Sequence, residues 1–107
     1  MTTIPETAQR YFDAVAAHDL EALVDCFAPS ALVIDVDRPL EGGKAIRRWA
    51  RSEVIGGEYE ILESEPHEHG VSLLVRFTPP GESVGFRARY ELEFDEDRIT
   101  KAELQYA

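Results

Sequence analysis

Phe86-Arg87-Ala88-Arg89-Tyr90-Glu91-Leu92-Glu93-Phe94 alternates apolar or aromatic with charged side chains throughout. Successive side chains of a strand point to opposite faces, so the stretch reads as a strand with one dry face and one charged face. The alternation extends on both sides. Further strands are expected over 58–64, 71–77 and 99–106, separated by turns at 66–70, at Pro79-Pro80-Gly81 and at Asp95-Glu96-Asp97. The second half of the chain is therefore an antiparallel meander.

Ahead of it the period is helical. Thr3-Ile4-Pro5-Glu6 combines a capping hydroxyl, a first-turn proline and a glutamate three residues on, and Ile4, Ala8, Tyr11, Phe12, Val15 and Ala16 then share one face. Asp19 is the N-cap expected for a second, shorter helix with Leu20, Leu23, Val24 and Phe27 on its apolar side and Pro29 as its stop. A short apolar strand follows over 31–34 and ends in polar residues from Asp35 to Pro39. Gly42-Gly43 opens a third helix carrying Ile46, Trp49, Ala50 and Val54, which Gly56-Gly57 closes through a left-handed cap. Three helices, a strand among them and a meander make an α+β fold whose helices cover one face of the sheet.

Composition bounds the partners. The chain has 107 residues, a length that fits one domain spanning 1–107. With 21 acidic against 11 basic residues its net charge is -10, which repels nucleic acid and anionic lipid surfaces. One cysteine supplies no disulfide framework, and no apolar run is long enough for a signal peptide or a membrane span. A soluble, cytoplasmic protein with no nucleic-acid or membrane partner is expected.

The order of elements, together with local motifs, resembles the nuclear transport factor 2-like superfamily. Residues 11–23, YFDAVAAHDLEAL, are similar to the helical hairpin of its ketosteroid isomerase-like and SnoaL-like polyketide cyclase branches. Phe27-Ala28-Pro29-Ser30-Ala31 is similar to the entry to the family's first strand, residues 40–49 to its third helix, and residues 94–99 to its last hairpin. The resemblance implies a cone: a curved, mainly antiparallel sheet wrapped by the three N-terminal helices, with an apolar pocket at one end that takes a small hydrophobic molecule. On this cone the pocket set is Val15, Phe27, Val33, Trp49, Phe86, Ala88 and Leu92. A small domain needs an aromatic core in any case, and packing is the alternative role for each of them.

Three residues carry the implied chemistry. Asp35 falls where isomerase-like members keep the carboxylate that moves a proton, and a poorly hydrated carboxylate holds a proton more readily, which suits a base. Its alternatives are a turn or capping aspartate, or one paired with Arg38 or another arginine. Tyr11 matches the helix-one tyrosine that donates to an enolate oxygen in the isomerase branch, where an aspartate base works with a tyrosine and a protonated aspartate. The position of that protonated aspartate is Tyr90 here, which can still donate a hydrogen bond. For both tyrosines the alternative is a core aromatic. The implied step is proton abstraction beside a carbonyl, leading to isomerisation, cyclisation or dehydration without a metal or organic cofactor. A non-catalytic ligand-binding or dimerisation domain is the alternative from another class. An epoxide hydrolase fits less well, because Arg87 and Arg89 face away from the pocket.

Other motifs resolve more simply. His67-Glu68-His69 has the alternate spacing of a strand metal site, but it lies between Pro66 and Gly70 and reads as a solvated turn. Cys26 beside Phe27 reads as a buried thiol. Lys44, Arg47, Arg48 and Arg51 make a basic side of the third helix, suited to an acidic ligand or to offsetting Glu41, Glu53 and Glu58. The blocks Arg87, Arg89 and Glu91, Glu93 complement an antiparallel copy of themselves, so a homodimer through the outer sheet face is expected, with cross-strand pairs to Arg76 as the alternative.

Overall fold

The computed structural model describes residues 4–107 and contains α1 (Glu6–Ala16), α2 (Leu20–Asp25), β1 (Phe27–Asp35), β2 (Arg38–Glu41) and α3 (Gly42–Trp49). A π-helical turn (Ala50–Val54) then leads to β3 (Glu58–His67), β4 (Gly70–Thr78), β5 (Phe86–Asp95) and β6 (Arg98–Tyr106). The six strands form one sheet in the order β2-β1-β6-β5-β4-β3. All neighbours are antiparallel except β1 and β6, which run parallel.

From Arg87 to Glu93 the alternating stretch behaves as its pattern demands, whereas Phe86 at its start is exposed. Ala88, Tyr90 and Leu92 of β5 are buried, whereas Arg87, Arg89, Glu91 and Glu93 are exposed. Against the dry face pack Ala8, Tyr11, Phe12 and Val15 of α1, Leu23 of α2, and Ile46 and Trp49 of α3, joined by Leu73, Val75 and Ile99 from the sheet in one core. Asp19 caps α2 by accepting from the Ala22 N–H at 3.0 Å. At α1 the N-cap is Pro5, without a side-chain cap bond, and the capping role expected of Thr3 lies outside the described residues.

Three local expectations are corrected. α2 stops at Asp25 and β1 starts at Phe27, so Phe27 and Pro29 belong to a strand and Pro29 does not end a helix. Proline is tolerated there because the β1–β6 ladder breaks register between Phe27 and Leu32, where no N–H is needed. The polar stretch after Asp35 contains β2, four residues long and too short for alternation to register. The turn expected over 66–70 narrows to Glu68 and His69, because β3 continues through His67.

Two irregularities sit where the sheet opens. The β1–β2 hairpin turns through Val36 and Asp37 at φ +48° and +67°, left-handed values that two-residue hairpins normally give to Asn, Asp or Gly. After Trp49 the helix widens, and the Ile55 N–H donates to the Ala50 carbonyl at 2.9 Å, one residue beyond the α-helical reach. Gly56, at φ +96°, ends the turn as its left-handed cap.

Candidate functional site

A cavity of about 540 Å³ lies between the open end of the sheet, the π-helical turn and the loop after β4. Its lining includes Asp35, Trp49, Tyr59, Phe77, Ala88 and Tyr90.

Asp35 is the last residue of β1, and strand register sets it opposite Arg38 across the Val36–Asp37 turn. The pairing with Arg38 left open by the sequence is what the structure contains. Arg38 Nη2 donates to Asp35 Oδ2 at 2.6 Å and to Glu53 Oε1 at 2.8 Å. The same Asp35 oxygen accepts from the Trp49 indole N–H at 3.1 Å. Asp35 Oδ1 is left with no hydrogen-bond donor among the described residues. The Glu53 and Asp35 carboxylates together raise the Arg38 guanidinium above its ordinary range, so it stays charged.

Three tyrosines form a chain behind this carboxylate. The Tyr11 and Tyr59 hydroxyls are 3.1 Å apart, and those of Tyr59 and Tyr90 are 2.7 Å apart. Burial drives all three hydroxyls above the ordinary value of 10.0, and the negative charge of Asp35 adds to this at Tyr11 and Tyr90. All three therefore stay protonated at neutral pH. Each hydroxyl has one hydrogen, and two contacts consume two of the three. Tyr59 and Tyr90 line the cavity and Tyr11 does not, so the remaining hydrogen can meet a ligand only at the Tyr59–Tyr90 end.

The predicted site residues thus divide. Asp35, Tyr90, Trp49, Phe86 and Ala88 share the cavity wall. Tyr11 is displaced behind Tyr59. Val15, Phe27, Val33 and Leu92 are buried core residues and do not line this cavity, because the helices and the inward strand residues fill the closed end of the cone. Tyr59 and Phe77 were missed as lining residues. Their signal was present in the alternation of β3 and β4, whose register sets Tyr59 opposite Phe77.

The remaining motifs fall outside the cavity. His67 Nε2 is 2.6 Å from Ser72 Oγ on the exposed sheet face, and no cluster of three or more metal-ligating side chains occurs among the described residues. Cys26 is buried, its Sγ–H donates to the Ala22 carbonyl at 3.3 Å, and burial raises its thiol pKa. Arg47 of the basic helix side pairs with Glu21 rather than with Glu41, Glu53 or Glu58. On the outer face Arg76 pairs with Glu60 at 3.1 Å, and Arg87 and Arg89 make no ion pair among the described residues. No described helix is long and apolar enough to cross a membrane.

Residues 8–102 match the family model of the SnoaL-like domain. A search of curated proteins finds no match. Among solved structures, a candidate polyketide cyclase from Sinorhizobium meliloti superposes with a TM-score of 0.83 at 26% identity, over 95% of either chain. An NTF2-like protein of unknown function from Cytophaga hutchinsonii gives a TM-score of 0.85 at 11% identity, over 100% of this chain and 92% of that one. A Mycobacterium tuberculosis protein in complex with estradiol-17beta-hemisuccinate gives a TM-score of 0.83 at 14% identity, over 94% of this chain and 91% of that one. These likenesses establish the α+β fold with its six-stranded sheet and three helices.

Proposed function

The chain belongs to the SnoaL-like domain family, and from that premise we propose that it binds a small hydrophobic carbonyl compound in the cavity at the open end of its sheet. The observation that carries this reading is the meeting, on one cavity of about 540 Å³, of an aromatic wall, the Asp35 carboxylate and the Tyr59–Tyr90 hydroxyl pair. Apolar pockets with a few convergent polar groups hold small molecules by burying their bodies and orienting their polar atoms. The fold neighbour solved with a steroid hemisuccinate supports a ligand of this kind. Trp49 is the chain's one tryptophan and lines the cavity, so its emission reports occupancy. Titration with neutral cyclic ketones should shift that emission saturably, and a flat titration across such ketones counts against the reading.

A catalytic role for the same cavity is the second reading, favoured by Asp35 and Tyr90 lining it together. Asp35 would take a proton from the carbon beside the ligand carbonyl. The C–H electron pair would move into the enolate, whose oxygen accepts a hydrogen bond from the Tyr59–Tyr90 end of the chain, with Tyr11 supporting from behind. Return of the proton to another carbon would complete an isomerisation; cyclisation or dehydration would start from the same enolate. The Asp35 oxygen free to take the proton is Oδ1, since Arg38 and Trp49 both bond Oδ2. The test is deuterium exchange at the α-carbon of a bound ketone, followed by NMR. Asp35→Asn should abolish exchange while leaving the fold intact, and an unaffected rate sinks the assignment. Binding without exchange in the unaltered protein leaves the non-catalytic binding domain.

The proposal includes a homodimer through the outer sheet face. Arg87 and Arg89 are exposed beside Glu91 and Glu93, so two copies turned antiparallel would set each basic block on an acidic one. Sedimentation should show a dimer that Arg89→Glu dissociates.

A further inference from the structure

Four large apolar side chains are exposed among the described residues, and three of them belong to the cavity wall. Val36, Phe86 and Tyr106 line the cavity, and Val84 projects from the loop whose Pro79, Pro80 and Glu82 line it. The sheet order explains this. β1, β6 and β5 are neighbours, and the end of β1, the end of β6 and the start of β5 meet at one edge of the cone. Val36 donates its N–H to Leu104 of β6 at 2.9 Å, and the Phe86 and Tyr106 rings pack edge to face at 5.2 Å. The mouth therefore has an apolar lip on the sheet side. The paired Arg38 and Glu53 add a charged part to the same wall.

Val36 is the informative member. A β-branched residue at φ +48° is strained, by about 1–3 kcal/mol, in a turn that Asn or Gly would fill with less strain. At 42% exposure it recovers little of that cost through burial. What the valine does provide is apolar surface at the mouth. Exposed apolar side chains on the wall of a cavity suit contact with the apolar portion of its occupant. The polar groups that can orient a ligand, the Tyr59 and Tyr90 hydroxyls, are buried.

We infer that the apolar lip is a ligand contact: the cavity takes an elongated molecule with its oxygen function inward, toward Tyr59 and Tyr90, and its apolar portion passing out over Val36, Phe86 and Tyr106. This rests on the reading of the cavity as a binding site and adds the shape and direction of its occupant. Val36 acts as a specificity-determining residue for length.

The experiment compares 2-heptanone with 2-undecanone, whose extra methylenes would lie on the lip, using Trp49 emission. Half-burial of each added methylene is worth about twofold in affinity, so the longer ketone should bind about tenfold or more tightly. In the double variant Val36→Asn, Tyr106→Ser the ratio of the two affinities should fall to about threefold or less. A second measurement needs no variant: cross-relaxation in NMR should connect the terminal methyl of bound 2-undecanone to the Val36 methyls and the Tyr106 ring. An unchanged ratio, or a terminal methyl that contacts only deep residues, overturns the inference while the cavity reading stands. If neither ketone binds the unaltered protein, the cavity reading fails and the inference with it. A concentration-dependent dimer that Val36→Asn breaks assigns the lip to a second copy and likewise overturns it.

Discussion

One nitrogen of Arg38, Nη2, serves two acidic residues at once, Asp35 at 2.6 Å and Glu53 at 2.8 Å. It thereby ties the β1–β2 hairpin to the π-helical turn across the mouth of the cavity. The Arg38 and Glu53 side chains are 50% and 45% exposed, which places their bridge among the ion pairs worth up to about 1 kcal/mol. Arg38→Met should therefore lower the unfolding free energy by no more than about 1–2 kcal/mol in urea denaturation. If Asp35 is the base, the same substitution should raise ketone deuterium exchange, because the guanidinium no longer competes with the substrate proton for the carboxylate.

Tyr59 is the joint of the hydroxyl chain, and Tyr59→Phe removes both of its contacts in one step. It leaves the Tyr11 and Tyr90 oxygens buried with one partner fewer each. A loss of about 2–3 kcal/mol is expected in urea denaturation, against about 1 kcal/mol for Tyr11→Phe, which removes one terminal contact. Equal losses would show that the chain does not act as a linked unit.

The same chain sets an alkaline limit. Burial holds the Tyr11, Tyr59 and Tyr90 pKa values above 10.0 in the folded state, while the unfolded chain ionises near that value. The stabilisation is fully present below pH 10 and is lost as pH rises from there toward the folded-state values, since the unfolded chain then binds fewer protons. Each of these tyrosines steepens the loss by up to about 1.4 kcal/mol per pH unit. Tyrosinate absorbance from the three should appear together with loss of the far-ultraviolet signal of the sheet. Its gradual appearance in a protein that remains folded would contradict the burial of these hydroxyls.

Val36→Asn should raise stability by about 0.5–1 kcal/mol, because asparagine tolerates the left-handed conformation that valine adopts here at φ +48°. The gain is read as a higher thermal midpoint. A lower midpoint would mean that the valine side chain contributes packing beyond what its exposure implies.

The legible parts of this fold were those encoded by period. From Arg87 to Glu93 the alternation in β5 identifies the dry and charged faces of the sheet residue by residue, and Asp19 announces the start of α2 by its capping chemistry. What the sequence obscured depended on pairing between distant segments. Pro29 reads as a breaker until β6 is seen to ask for no N–H at that position, and β2 exists only because β1 is there to pair with it. At the candidate site, Asp35 and Tyr90 were readable and share the cavity, but Tyr59 joined them only through the register of β3 with β4. The exchange between Tyr11 and Tyr59 has the same origin: helix periodicity gives the face on which Tyr11 lies, not what stands between it and the cavity.

The parallel pairing of β1 with β6, in which Val33 faces Ala102, has a consequence for how the molecule is made. On a ribosome, β3, β4 and β5 can zip into their meander as soon as they emerge, through contacts between consecutive segments. β1 must wait with one edge uncovered until the final strand arrives, and Asp35 and Val36 wait with it. The cavity is therefore the last part of the protein to come into being. A nascent chain stalled before Arg98 would hold most of its sheet, expose the edge of β1 to wrong partners, and have no binding site to offer.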